Sequence, residues 1–285
     1  MDGTNNYSYA TCNDSLAPTE GGEWVLVFAN EDLGVNNDFY VMKYEAKFLN
    51  TASKTQDTTF KGWRYDTAGG DLTIRSDPTS EPITYIDQTQ AIASCTYLGT
   101  GYKLITRAEW TTIARETENN IYNWNSGVIG SGSMYKGHTD IIPNHALSTT
   151  NTSNGYTGTE NSGTSEQRRT LKLYNGELIW DLGGNVWEWN NDRCKRDDPW
   201  YSGSLWLNWT HININTTEKS IAGPIGAYTT LNGVGQYYGC TSNENAFLSG
   251  GRFNQEIFSG TFALFLYRAS SHMDGCIGFR CSYNP

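Results

Sequence analysis

The sequence predicts an α+β fold: twisted antiparallel sheets with two main helices and long loop insertions. Three observations carry that prediction. Short β-rich runs stand at Trp24-Val25-Leu26-Val27-Phe28 and at Phe39-Tyr40-Val41-Met42-Lys43-Tyr44-Glu45. Two helical patterns follow, each opened by a capping box. Thirty Gly, with abundant Asn, Ser and Thr, supply many turns and loops.

In chain order, Met1 to Gly22 is polar and reads as an irregular lead-in. The two strand runs come next. After a polar stretch containing Lys61-Gly62-Trp63-Arg64, the chain reaches Pro82-Ile83-Thr84-Tyr85-Ile86-Asp87. Asp87 with Gln90 forms one capping box, and Ala91, Cys95 and Leu98 recur behind it at helical spacing. Thr106 with Glu109 forms the second, and Trp110, Ile113 and Ala114 make its apolar stripe. From 118 to 170 Asn, Gly, Ser and Thr dominate, which predicts loop or partial disorder, or an insert that decorates a binding face. In Leu178-Ile179-Trp180-Asp181-Leu182-Gly183-Gly184-Asn185-Val186-Trp187-Glu188-Trp189 the glycines permit a tight turn, and Trp187 and Trp189 alternate with Glu188 as on a strand. Residues 191–245 show no period and predict long loops packed by Trp200, Trp206 and Trp209.

The final stretch has a mixed pattern. Gly260, Phe262, Ala263, Leu264, Leu266, Ile277, Gly278 and Phe279 form a small or apolar frame, interleaved with Arg252, Phe258, Phe265, Tyr267, Arg268, His272 and Asp274. Successive strand residues face opposite sides, so Leu264 and Leu266 can enter a core while Phe265 and Tyr267 point away from it. Two readings fit: a strand buried on both faces, or a binding surface of aromatic and charged anchors.

Composition narrows the function. The chain is 37% hydrophobic with ten Trp and eighteen Tyr, enough for a large core. A net charge of −10 with no basic stripe argues against nucleic-acid binding. No apolar run is long enough to span a bilayer, and Met1 to Asn6 lacks the charged and apolar regions of a signal peptide. Six Cys allow up to three disulfides, and none stands in a C-x-x-C pair. The four His (His138, His145, His211, His272) lack metal-ligand spacing. Glu188 with Asp192 offers a carboxylate pair for glycoside hydrolysis only if space brings the two together suitably.

Gly184 to Trp189, the Phe39–Glu45 run and the helix pair between Ile86 and Glu116 resemble the formylglycine-generating-enzyme family. The frame Gly250-Gly251, Gly260-x-Phe262-Ala263-Leu264-x-Leu266, Ala269-x-Ser271 and Ile277-Gly278-Phe279-Arg280-Cys281 resembles the variable region of proteins diversified by retroelements. Those proteins carry a C-type-lectin-like fold of the formylglycine-generating-enzyme type. Their changed positions come from Asn codons rewritten at adenine. Arg, Ile, Phe, Tyr, His, Asp, Ser and Cys are reachable from an AAC-type codon; Gln, Glu, Met, Lys and Trp are not. Arg252, Ile257, Phe258, Phe265, Tyr267, Arg268, His272, Asp274 and Cys276 fit, as does an unaltered Asn254, whereas Gln255, Glu256 and Met273 do not and Phe253 occupies a framework place. The resemblance implies one domain over 1–285, with 118–170 and 191–245 as loop-rich insertions and 250–281 as a variable, ligand-binding region. It implies a macromolecular ligand, a protein on another cell or virion, and an extracellular, cell-surface or virion-displayed location.

The same resemblance bears on chemistry. The family's oxidase uses two Cys shortly after the Gly-Gly of the final motif, and Arg252 to Thr261 contains none, so a non-enzymatic role is expected without a catalytic cofactor. An oxidase-like catalyst with other residues is the alternative. A structural calcium held by Glu188 and Asn185 stands beside a turn-and-core role with Glu188 paired internally.

Overall fold

The computed structural model describes residues 16–69, 71–156, 160–161, 165–194, 205–210, 221–242 and 245–285. Most of the lead-in, Trp200 and His211 lie outside them.

Helix α1 (Gln88–Thr96) and helix α2 (Arg107–Glu118) both open on complete capping boxes. The Gln90 N–H donates to Asp87 Oδ1 at 2.8 Å while the Asp87 N–H donates back to Gln90 Oε1 at 3.1 Å. At α2 the Glu109 N–H reaches Thr106 Oγ1 at 3.2 Å and the Thr106 N–H reaches Glu109 Oε2 at 3.0 Å. Orphan amides at each helix start are thereby satisfied. The stripe of Trp110, Ile113 and Ala114 is fully buried.

A four-stranded sheet runs in the order Trp24–Val27, Phe39–Met42, Cys281–Tyr283, Tyr102–Leu104. The last strand of the chain therefore lies between two early ones, so the fold cannot close until the C-terminus arrives. The Cys95–Cys281 disulfide fastens α1 to that same strand. A six-stranded sheet runs in the order Trp206–Leu207, Tyr237–Tyr238, Leu264–Phe265, Ala246–Ser249, Trp187–Arg193, Ile277–Phe279. Two of its strands come from 191–245, which sequence pattern assigned to loops. At two residues each they are too short to display a period-2 alternation.

The described part of the tract expected to be loop or partly disordered is loop with two short 3-10 turns, Ile121–Asn123 and Ser165–Gln167, pinned at intervals by buried side chains. Trp124, Met134, Ala146 and Leu147 are buried, and the Trp124 indole N–H donates to Glu118 O at 2.8 Å. Scattered apolar anchors, the larger of them such as Met134 and Leu147 contributing roughly 1.5–3 kcal/mol each, hold a polar loop that composition alone leaves unordered.

Candidate functional site

The segment from Gly250 to Phe258 is a loop tied at its neck. The Ser259 hydroxyl accepts from the Arg252 N–H at 3.0 Å and donates to Arg252 O at 3.1 Å. Gly251 (φ +89°) permits this closure, since a Cβ there would lie 2.2 Å from Ser259 Oγ. Phe253 is fully buried and packs on Phe60 and the His138 ring, as a framework residue should. The loop is braced by 138–146: Ile141 N–H donates to Phe253 O, Glu256 N–H to Thr139 O, and Asn254 Nδ2 to Asn144 Oδ1. Part of the Asn- and Gly-rich insertion thus borders this loop, and Ile141 and Ile142 are exposed beside it.

The strand Leu264–Phe265 divides its side chains as alternation requires. Leu264 and Leu266 are fully buried, whereas Phe265 is half-buried and Tyr267 is 45% exposed. Phe265 lies in register with Tyr238, which lies in register with Trp206, so three aromatics form a row across adjacent strands. Trp206 stacks on Phe265 at 5.4 Å and touches Phe258 at 5.0 Å, while Tyr238 meets Phe265 and Tyr267 edge-on at 5.2 and 5.5 Å. The Arg268 guanidinium lies over the Phe265 ring.

Beyond this cluster, His272 Nε2 lies 3.8 Å from Asp274 Oδ2. Burial and then Arg268 lower the His272 pKa below the ordinary histidine range, with Asp274 opposing them. Ile257 is 45% exposed. Arg252 and Asn254 are half-buried, and Arg252 and Asp274 both act on the Cys276 thiol.

Of the ten expected contact residues, Cys276 needs correction. It is buried against Val186, Ala146 and Phe253, beneath the surface rather than on it. Burial pushes its thiol up to about 12, so it is neither a surface contact nor a thiolate. Sequence reasoning also missed two residues, Trp206 and Tyr238. The available signal was the aromatic density of 191–245; what it lacked was a register.

A family model described as the sulfatase-modifying factor enzyme 1-like domain matches residues 11–285. The chain belongs to this family. Solved structures similar to this sulfatase-modifying factor-like chain include PvdO from Pseudomonas aeruginosa, at 13% identity and TM-score 0.45 over 92% of each chain. A Major Tropism Determinant I1 variant matches at 16% identity and TM-score 0.37, over 86% of this chain and 50% of the other. Treponema denticola variable protein 1 matches at 13% identity and TM-score 0.34, over 89% of this chain and 97% of the other. No curated protein sequence matches the chain.

In this sulfatase-modifying factor-like domain the Gly184–Trp189 motif is structural. Both Glu188 oxygens accept from Arg280, from Nε at 2.6 Å and from Nη2 at 2.5 Å, and Asn185 Oδ1 accepts the Leu147 N–H at 2.8 Å. Those oxygens are committed to partners in the core, so the pair does not fit a calcium; among the described residues no three or more His, Cys, Asp or Glu side chains gather as a metal-binding group. The Glu188 and Asp192 pairing also fails as a hydrolytic couple, because Glu188 is fully buried in its ion pair and Asp192 accepts the Arg107 N–H at 2.6 Å. Among the described residues no helix is long and apolar enough to cross a membrane.

Proposed function

We propose that this chain is a ligand-binding protein whose C-terminal face is diversified by retroelement mutagenesis and which performs no chemistry there. One observation carries the reading: within 250–281 the expected framework positions are buried, while nine of the ten expected variable positions reach the surface. The framework residues Phe253, Phe262, Ala263, Leu264, Leu266, Ile277 and Phe279 are buried. Arg252, Asn254, Ile257, Phe258, Phe265, Tyr267, Arg268, His272 and Asp274, all obtainable from an Asn codon, reach the surface. A rigid sheet lets such side chains change while the core stays constant.

The face combines aromatic area with charged and amide groups, the composition of a protein-binding paratope, and its ligand is a protein on another cell or virion. The disulfides Cys95–Cys281 and Cys194–Cys240 suit an extracellular, cell-surface or virion location, where thiols are oxidised. The non-catalytic reading is supported by the absence of Cys from Arg252 to Thr261, by the buried protonated thiol of Cys276, and by Cys281 lying in a disulfide.

Deep sequencing of the 3′ end of the gene and its DNA neighbourhood across a source population tests this. The expected result is substitutions concentrated at those nine codons, beside a near-copy carrying adenines there and a reverse-transcriptase gene. Uniform variation with no such copy would overturn the proposal.

A further inference from the structure

The aromatic cluster is assembled from two kinds of residue. Phe258, Phe265 and Tyr267 lie in the diversified segment, whereas Trp206 and Tyr238 come from the 191–245 insertion, outside 250–281. Tryptophan is also beyond the reach of a rewritten Asn codon. Trp206 nonetheless lies at the centre, touching Phe265, Phe258, Tyr238 and the nearly buried Trp187 beneath. Both Trp206 and Tyr238 are only partly covered, so each keeps surface for a ligand.

The geometry points to a constant aromatic floor, Trp206 with Tyr238, as a ligand-contacting half of the binding face that every diversified variant shares. This rests on the binding reading above and adds to it the claim that affinity is not supplied by the variable positions alone. Trp and Tyr bring large contact area with two rotors each, so ordering them on binding costs little. Their side chains lie in register across paired strands on the same side of the sheet as Phe265, which holds them in place whatever residue occupies 258, 265 or 267. The chemistry of such a floor selects protein surfaces that present apolar or aromatic side chains; the variable rim then discriminates among them.

The test displays the full chain with positions 252, 254, 257, 258, 265, 267, 268, 272 and 274 randomised, in the native and the Trp206→Ala background. Libraries are selected against two unrelated folded proteins, lysozyme and streptavidin. The inference expects binders in the native background, a loss of roughly tenfold or more in their affinity on introducing W206A, retention with W206F, and protection of Trp206 from hydroxyl-radical oxidation in the complexes. Binders that arise equally in both backgrounds, with Trp206 as reactive in the complex as free, would overturn the floor and leave the diversified face standing. No binders in either background would overturn both. If W206A does not fold, the protection of Trp206 decides.

Discussion

Arg280 and Glu188 form a fully buried, two-point ion pair between the final motif of the chain and the Gly184–Trp189 motif, 92 residues apart. Arg280 also donates to Trp180 O at 3.0 Å and Met42 O at 3.2 Å, so one guanidinium joins three segments. Desolvation raises the Glu188 pKa above the ordinary carboxylate range, with Arg280 opposing it. Arg280→Met, which strands a carboxyl in the core, is expected to destabilise by about 3–5 kcal/mol. The double variant Arg280→Met/Glu188→Leu should lose less than the two single changes together. Urea unfolding of the four proteins measures this cycle, and strict additivity would show that the pair is not coupled.

The two faces of the Leu264–Phe265 strand should respond oppositely to a polar residue. Leu264→Ser removes a fully buried side chain and is expected to cost at least the about 2–5 kcal/mol of a core leucine truncation. Tyr267→Ser, at an exposed position, should stay within about 0.5–1 kcal/mol. Melting temperatures in which the order is reversed would invert the inside and outside assignment.

The Cys95–Cys281 bond closes a sequence separation of 186 residues and holds α1 against the central strand of the four-stranded sheet. Replacing both cysteines by alanine should cost about 2–5 kcal/mol, chiefly by releasing the unfolded chain. Calorimetry of the variant beside the oxidised protein checks this; an unchanged midpoint would mean the bond adds nothing.

Stability should depend on pH through Glu116. Burial raises its pKa to about 7, the Tyr174 N–H opposes this, and Asp38 and Glu177 add to it. The folded state then holds the proton more tightly than the unfolded state, whose value is 4.5. The contribution is complete below the unfolded value and is lost as pH rises through about 7. Denaturation midpoints taken at about pH 5 and about pH 8 should therefore differ less for Glu116→Gln than for the native chain. An equal difference in both proteins would remove Glu116 from the account.

The local devices were legible in the sequence because their physics is local. Both capping boxes, the α2 stripe and the strands near Trp24 and Phe39 depend on residues a few positions apart; each begins where spacing placed it, and the two strands end early, at Val27 and Met42. The inward and outward division of Leu264, Phe265, Leu266 and Tyr267 likewise follows from the strand period alone. The sequence by itself thus determined the α+β class, the family frame and which side chains of the Leu264–Tyr267 stretch face the core. Only tertiary structure decided who their neighbours are. Trp206 and Tyr238 reach Phe265 through cross-strand register, Cys276 is withdrawn beneath Phe253 and Val186, and Glu188 is paired with Arg280. Those outcomes depend on contacts between residues 23 to 92 positions apart, which chain spacing does not specify and packing does.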